Sequence, residues 1–225
     1  METGRLRMEN AHMGTAGIGK SVRKGWVLAA VVWVCGAAAQ AEVIDSADFF
    51  TPLTHTLLTF EVDGHGNPVT LGEGGWQSMP GGEYRSQGVV FLPGILWVND
   101  GAPEVDVVLT IGGSPKNCVT SFQNDFVTSF TTPVYAFGCW VLHNRDFGSR
   151  PILTAYAESG AVIERVVFEG SLVDGAIAPL EYGFMGIASP FPIARVRIQK
   201  EAAEFDDFRF TTVRTALLGD AFLAF

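Results

Sequence analysis

The chain has 225 residues, of which 48% are hydrophobic and 17% charged, and its formal net charge is −9 at pH 7. This acidic balance argues against nucleic acid as a partner, because phosphate binding needs a basic surface. It is compatible with divalent cations, with neutral glycans or with a simply solvated surface.

Residues 1–41 contain the three parts of a secretory signal peptide. Arg23 and Lys24 precede an apolar run at 26–34, and Ala39-Gln40-Ala41 has the small-x-small form that signal peptidase accepts. The apolar run is shorter than the roughly 20 residues of a membrane span, so we expect cleavage rather than the alternative, an uncleaved anchor. The predicted product is secreted, either extracellular or periplasmic, and has no membrane span after processing.

The part of the chain that follows this signal suits a single acidic domain. It has 184 residues, with ten basic and 22 acidic side chains and a net charge of −12. Cys118 and Cys139 remain, and an even count in an oxidising compartment favours a disulfide, with two free buried thiols as the alternative. A bridge over about 20 residues would add about 3 kcal/mol. No His or further Cys stands at metal-ligand spacing beside either cysteine, which argues against zinc.

The periodicity after the signal is that of short β-strands separated by clusters of Gly, Pro, Asn and Asp. In 194–198, apolar residues and arginines alternate, which is typical of a strand with one buried face. No long amphipathic helical period is present, so we predict an all-β, antiparallel β-sandwich over 59–213, with a lead-in segment at 42–58 and an apolar tail at 214–225. The predicted strands are 59–62, 88–92, 105–111, 133–142, 152–156, 162–168, 183–187, 194–198 and 207–210.

Several short motifs occur in a fixed order along this region. They are Thr59-Phe60-Glu61, Tyr84 with Gln87-Gly88-Val89-Val90-Phe91, Pro133-Val134-Tyr135-Ala136-Phe137-Gly138, Leu153-Thr154-Ala155-Tyr156 with Gly160, Gly183-Phe184-Met185-Gly186-Ile187, Pro192 to Ile198, and Asp206-Asp207-Phe208-Arg209-Phe210. The ordered set resembles a widespread type of bacterial secreted β-sandwich protein, often found among exported proteins with sorting tails.

The resemblance implies a jelly-roll sandwich, galactose-binding or concanavalin-like, similar to carbohydrate-binding modules and extracellular adhesion domains. It implies no particular ligand. The chain departs from many relatives because it lacks a Pro-Glu-Pro sorting motif, a C-terminal hydrophobic span and a basic tail. Anchoring at the C-terminus is therefore not expected.

The first candidate site is for calcium. First and last strands of a jelly roll commonly lie side by side, so Glu61 or Asp63 can meet Asp206 or Asp207. Adjacent residues of a strand point to opposite faces, so we expect only one Asp of the pair to face inward. A Ca²⁺ ion would offset the cost of burying that carboxylate, and in the related sandwiches this frame often holds a structural ion. The alternative is that Asp207 caps a turn and Asp206 is solvated.

The second candidate site is a glycan-binding surface. Sugars stack on exposed aromatic rings and hydrogen-bond to neighbouring polar side chains. Trp76 and Gln77 lie in a glycine-rich segment, Tyr84 and Arg85 follow closely, and Trp97 precedes a turn. Packing of the aromatic rings over the end of the sandwich is the alternative.

The third candidate is catalytic. His143, Arg145 and Asp146 are neighbours after a predicted strand, and a histidine near a carboxylate can act as a general base. No established catalytic motif is present, and a polar loop after a strand has the same composition. We therefore expect non-catalytic recognition of carbohydrate or of a cell-surface or matrix component. The alternatives are a structural or adhesive envelope protein without a small-ligand site and, less favoured, a glycan-cleaving enzyme.

Overall fold

The computed structural model describes residues 40–72, 75–99, 117–121, 123–174, 176 and 178–214. Most of the predicted signal peptide, the predicted strand at 105–111 and the tail after residue 214 lie outside these residues. The described part has no helix that is long and apolar enough to cross a membrane.

The described residues form twelve β-strands and three short 3-10 helices, so the predicted all-β architecture is confirmed. The 3-10 helices are Ala47–Phe50, Arg85–Gln87 and Arg145–Phe147. The strands are β1 Glu42–Ile44, β2 Thr56–Leu58, β3 Gly75–Ser78, β4 Val89–Phe91, β5 Ile95–Asn99, β6 Cys118–Ser121, β7 Asp125–Asn144, β8 Ile152–Tyr156, β9 Val162–Val167, β10 Ser171–Leu172, β11 Leu180–Gln199 and β12 Ala203–Thr211.

Two strands of 20 residues each, β7 and β11, pair with one another along most of their length. The sequence predicts two separate strands where the structure has the single strand β11. The register between β7 and β11 shifts between Ala188 and Arg195. Pro190 and Pro192 lie in this interval, and proline has no backbone N–H to donate to a sheet. The prolines therefore interrupt the hydrogen-bond ladder without ending the strand.

The register shift divides the sheet into two halves, and all strand pairs are antiparallel. The first half contains residues 180–188 of β11 and 136–144 of β7, with β12, β6, β5 and β3 beyond β7 and with β1 and β10 on the other side of β11. The second half has the order β4, β7, β11, β8, β9 and uses residues 125–130 and 195–199 of the long strands.

The core between the halves consists mainly of phenylalanine rings. Phe208 of β12 lies 5.5 Å from Phe126 and 6.0 Å from Phe91, measured between ring centroids. Phe126 and Phe91 belong to the second half, whereas β12 belongs to the first. The halves therefore pack face to face like the layers of a sandwich.

The segment predicted as a lead-in, residues 42–58, is part of the sheet. Its β1 pairs with residues 186–188 of β11, and its β2 pairs with residues 208–210 of β12. Phe50 between them is fully buried and packs edge-on against Phe184 at 6.1 Å. The predicted strand at 59–62 is not observed, because Phe60 has a φ of 61° and the backbone leaves the extended conformation there.

A bulge in β12 buries both residues of the Asp206-Asp207 pair. Asp206 lies opposite Trp140 and Arg209 opposite Gly138, so Asp207 and Phe208 are both accommodated opposite Cys139 alone. Asp207 has a φ of 47°, a left-handed conformation that Asp tolerates better than most residues. Both carboxylates are therefore buried, which excludes the alternative of a solvated Asp206.

Cys118 and Cys139 are both free, buried thiols, which corresponds to the alternative and not to the predicted disulfide. Cys118 lies on β6 and Cys139 on β7, and β12 runs between these strands. The Cys118 thiol donates a hydrogen bond to Glu204 Oε2 at 3.3 Å. Cys139 lies in the main core, where burial raises the pKa of its thiol.

Candidate functional site

Trp97 lies at the base of a cleft at one end of the sheet and is hydrogen-bonded to Tyr84 beneath it. The Tyr84 hydroxyl donates to the Val62 carbonyl at 2.7 Å and accepts from Trp97 Nε1 at 3.1 Å. The two side chains are 1% and 3% exposed, and burial raises the pKa of the Tyr84 hydroxyl. Both residues are therefore part of the core and not the exposed stacking rings that the sequence suggested.

The loop after Val62 is held in one conformation by Asp63. Asp63 Oδ1 accepts from the backbone N–H groups of His65 and Asn67, both at 2.8 Å, and Oδ2 accepts from Asn67 Nδ2 at 3.0 Å. The bonds from Asn67, followed by that from His65, lower the pKa of Asp63. Asp63 is thus an ionised loop-forming residue and does not turn toward Asp206 and Asp207 as a metal ligand.

A second contact fixes this loop against the segment that carries Tyr84. The Gly64 N–H donates to Glu83 Oε1 at 2.9 Å. A Cβ atom at position 64 would lie 1.6 Å from the Glu83 carbonyl oxygen, so only glycine allows this approach. The loop is therefore rigidly tied to one wall of the cleft.

The cleft itself has a volume of about 400 Å³, which is within the range of small-molecule sites. It brings together Asp63, Gln77 and Trp97, which the sequence places in two different candidate sites. The full lining is Asp63, His65, Pro68, Val69, Thr70, Gln77, Pro80, Glu83 and Trp97. Two of these lining side chains, those of Asp63 and Glu83, are carboxylates.

Trp76 and Gln77 point to opposite faces of β3. Gln77 pairs with Trp97 of β5 and Trp76 with Val98, and directly paired residues share a face of the sheet. Gln77 therefore faces the cleft, whereas Trp76, which is 61% exposed, lies on the other side. Arg85 is exposed in the second 3-10 helix and does not line the cleft.

Asp207 and Glu61 lie close enough for the charge of Glu61 to raise the pKa of Asp207. Burial is the largest cause of this shift, Arg209 opposes it, and the resulting pKa of Asp207 is about 6. Arg209 lies 3.5 Å from Asp207 Oδ2. Asp207 Oδ1 is buried and accepts no hydrogen bond from the described residues.

Glu61 is held in place by the start of β6. Its carboxylate accepts from the Asn117 backbone N–H at 2.8 Å and from Asn117 Nδ2 at 2.9 Å. Across the described residues, no three His, Cys, Asp or Glu side chains are arranged as a ready-made metal site. Of the predicted calcium set, Glu61 and Asp207 lie near one another at the bulge, and Asp206 Oδ1 accepts a hydrogen bond from the Asp207 backbone N–H at 2.7 Å.

His143 and Asp146 have different surroundings. His143 is fully buried, and its Nδ1 donates to the Ala202 carbonyl at 3.0 Å. Asp146 is exposed, and its backbone N–H donates to Asn144 Oδ1. The neighbours in sequence therefore do not share a solvent-accessible site.

Instead of Asp146, a buried carboxylate that the sequence did not indicate lies opposite His143. Glu181 of β11 pairs with His143 and is bound by Arg150 Nη2 at 2.6 Å and Nε at 3.1 Å. Arg145 adds a contact at 3.5 Å. Nothing in the local sequence around Glu181 distinguishes it from a solvated strand residue, because its partners come from a distant loop.

Comparisons with known proteins give little further information. No family model matches the chain, and no curated protein does. Among solved structures, the K2 cleaved adhesin domain of Lys-gingipain aligns with 70% of this chain and 99% of its own, at 16% identity and a TM-score of 0.40. A likeness of this degree supports no argument about fold or function.

Proposed function

We propose that this protein is an exported, non-catalytic recognition module of jelly-roll type that binds carbohydrate in the cleft at β3 and β5. The observation that carries the proposal is the composition of the cleft, in which Gln77, His65 and Thr70 lie around a base formed by Trp97. Amide, imidazole and hydroxyl groups can exchange hydrogen bonds with sugar hydroxyls, while the two prolines offer apolar surface. The signal-peptide pattern at 1–41 supports export.

The charge of the cleft favours a neutral glycan. Asp63 and Glu83 both line it, and none of its described lining residues is Lys or Arg. An anionic sugar would be repelled at this position, whereas the hydroxyl groups of a neutral sugar can donate to carboxylates. The ligand class that fits is therefore a neutral oligosaccharide or polysaccharide.

Binding is favoured over hydrolysis because the carboxylates hold the loop together. Both oxygens of Asp63 accept hydrogen bonds from the loop, and Glu83 Oε1 accepts one from Gly64. A glycosidase needs one carboxyl group with a raised pKa that can donate a proton, and the pKa of Asp63 is lowered. This supports a recognition role for the cleft.

The test is binding of the full chain to a panel of neutral polysaccharides by affinity electrophoresis. Gln77→Ala should weaken the retardation of the protein by about threefold to tenfold, since it removes one or two hydrogen bonds. Trp76→Ala is the matched control, because it alters the adjacent exposed residue on the other face and should leave binding unchanged. The proposal would be contradicted if the protein bound none of the neutral polysaccharides. It would also be contradicted if Trp76→Ala weakened binding and Gln77→Ala did not.

We also propose a structural Ca²⁺ ion held by Glu61, Asp206 and Asp207, with backbone carbonyls and water completing the oxygen ligands. Support comes from the buried Asp207 Oδ1, which has no hydrogen-bond donor among the described residues, and from the left-handed Asp207 backbone. Strained residues of this kind tend to occur where a ligand is held. A bound cation would offset the burial of these carboxylates.

Thermal unfolding in EDTA and in added Ca²⁺ tests this step separately. At a hundredfold excess over Kd, an ion that binds only the folded state adds about 2.7 kcal/mol, or a rise in Tm of roughly 5–10 °C. The rise should vanish in Glu61→Gln and Asp207→Asn but persist in Asp63→Asn, the matched control. No rise in the unmodified protein would contradict the calcium proposal and leave Arg209 as the neutralising partner of Asp207 among the described residues.

One observation favours the alternative of a structural or adhesive envelope protein that contacts a surface or matrix protein. Among the described residues, β9 pairs only with β8, and its Val162 and Val167 are 60% and 50% exposed. An exposed strand edge is a place where another chain can add a strand. This alternative gains support if the polysaccharide panel is negative and the protein self-associates through β9.

A further inference from the structure

The outer face of the second half of the sheet carries a cluster of arginines. Arg195 and Arg197 alternate with buried Val196 and Ile198 on β11, as the sequence predicts. Arg197 pairs with Thr154 of β8, and Thr154 pairs in turn with Arg165 of β9. Paired residues share a face, so the three arginines lie on one surface of three adjacent strands.

The spacing of these arginines follows from strand geometry. Arg195 and Arg197 are two residues apart on one strand, which places their Cα atoms about 7 Å apart. Arg197 and Arg165 are separated by one intervening strand, or about 10 Å. The surface therefore presents three cationic groups over a flat area and not around a pocket for a single small anion.

Tyr156 gives this surface an aromatic component. The guanidinium carbon of Arg195 lies 4.6 Å from the centroid of the Tyr156 ring, and the two residues pair across β11 and β8. Stacking on a ring holds a guanidinium group in one orientation with its N–H donors directed sideways. Arg195 is therefore pre-organised for hydrogen bonding to a carboxylate or sulfate.

Few of the acidic groups near this surface are bonded to its arginines. Arg197 Nη2 binds Asp125 Oδ2 at 2.7 Å, at the end of the surface. Arg195 and Arg165 are exposed and make no ion pair with a described residue. Asp45 and Glu169 line the groove beside Arg165, and Glu164 binds the Arg165 backbone N–H.

This concentration of charge contrasts with the rest of the chain. Three of the ten Lys and Arg residues that follow residue 41 lie on this one surface, in a part of the chain with 22 acidic residues. At physiological salt the Debye length is about 8 Å, so distant carboxylates are screened while an anion in contact with the arginines is not. The surface can therefore attract an anion despite the overall negative charge.

We propose that the surface formed by Arg165, Arg195, Arg197 and Tyr156 binds an anionic polysaccharide. The recognised groups are sugar carboxylates or sulfate esters, spaced along an extended chain that lies across the three strands. Bidentate contacts to carboxylate or sulfate are the geometry that guanidinium groups favour. This inference goes beyond the proposed function, because the surface is built on different strands from the cleft and binds an anionic instead of a neutral polysaccharide.

The experiment measures binding of the full chain to polygalacturonate and to dextran sulfate at physiological ionic strength, with unmodified dextran as the neutral reference. Arg195→Ala and Arg165→Ala should each lower affinity about threefold to tenfold, and the double variant more. Arg214→Ala, which removes an exposed arginine outside the surface, is the control for net charge and should have no effect. Gln77→Ala should also have no effect, which separates this surface from the cleft.

The outcomes are distinct. Binding to polygalacturonate alone assigns carboxylates, binding to dextran sulfate alone assigns sulfates, and binding to both assigns the shared anionic character. Binding to neither polymer overturns the proposal, as does an equal loss with Arg214→Ala. Equal or tighter binding to poly-L-glutamate, or to vesicles containing phosphatidylserine, also overturns it in favour of an acidic protein or a membrane surface.

Discussion

Phe208 is the residue whose replacement should most directly test the packing of the two sheet halves. Its ring lies 5.1 Å from Phe60, 5.2 Å from Phe137 and 5.5 Å from Phe126, and it is fully buried. The contacts to Phe60 and Phe137 are edge-to-face, the preferred arrangement of aromatic pairs. Phe208→Leu keeps an apolar side chain but removes these ring contacts.

The expected loss follows from the number of contacts. Each aromatic pair contributes about 0.5–1.5 kcal/mol beyond burial, and pairs that share one ring are not additive. The leucine fills only part of the space left by the ring, and the remaining cavity brings the expected loss of unfolding free energy to about 2–3 kcal/mol. This is less than the roughly 3–5 kcal/mol typical of Phe→Ala. For a domain of this size, that corresponds to a fall in Tm of roughly 5–10 °C.

Equilibrium unfolding in guanidinium chloride and thermal unfolding both measure this loss. Phe191→Leu is the matched control, because Phe191 is 58% exposed and its replacement should change stability by less than about 0.5 kcal/mol. If Phe208→Leu also remained within about 0.5 kcal/mol of the unmodified protein, the phenylalanine cluster would not be what joins the halves.

Three further predictions concern single residues of the sheet and the cleft. Cys118 and Cys139 should resist alkylation in the folded protein at pH 8, and mass spectrometry should find both alkylated after unfolding without reductant. If both stayed unmodified after unfolding, the disulfide predicted from the sequence would be present instead. Gly138→Ala should lower the free energy of unfolding by about 1–3 kcal/mol, because its Cβ would lie 2.5 Å from a buried aromatic ring, whereas Gly82→Ala, with open space at the Cβ, should have little effect in the same urea titration. Tyr84→Phe should lower the free energy of unfolding by about 1–3 kcal/mol, since it removes the hydrogen bond to the Val62 carbonyl and leaves the buried Trp97 indole N–H unpaired; an unchanged urea midpoint would argue against the importance of these two hydrogen bonds.

Alternation within single strands was the part of the fold that could be predicted from the sequence. The pattern in 194–198 correctly assigns buried Val196 and Ile198 and outward Arg195 and Arg197. The continuity of β11 through its prolines could not be predicted, because a proline normally indicates an end to regular pairing. The position of β1 and β2 depends on pairing with residues more than 140 positions away, which no local pattern encodes.

The candidate site differs from the sequence-based expectation mainly in which side chains are buried. The burial of Tyr84 and Trp97 accompanies a hydrogen bond between two residues 13 positions apart. The bulge that buries Asp206 and Asp207 together likewise depends on their partner strand. Burial of polar and aromatic groups is decided by tertiary partners, and the sequence alone does not specify them.

The pairing of β1 and β2 with the far end of the chain has a consequence for how the protein folds. β1 needs residues 186–188 and β2 needs residues 208–210, so closing each contact spans most of the domain. Proteins dominated by such distant pairings fold slowly, because the entropy of a long loop must be lost before any contact forms. Almost the whole domain must therefore be available before its first strands can find partners, and deleting β12 should release β2 near the opposite end of the sequence.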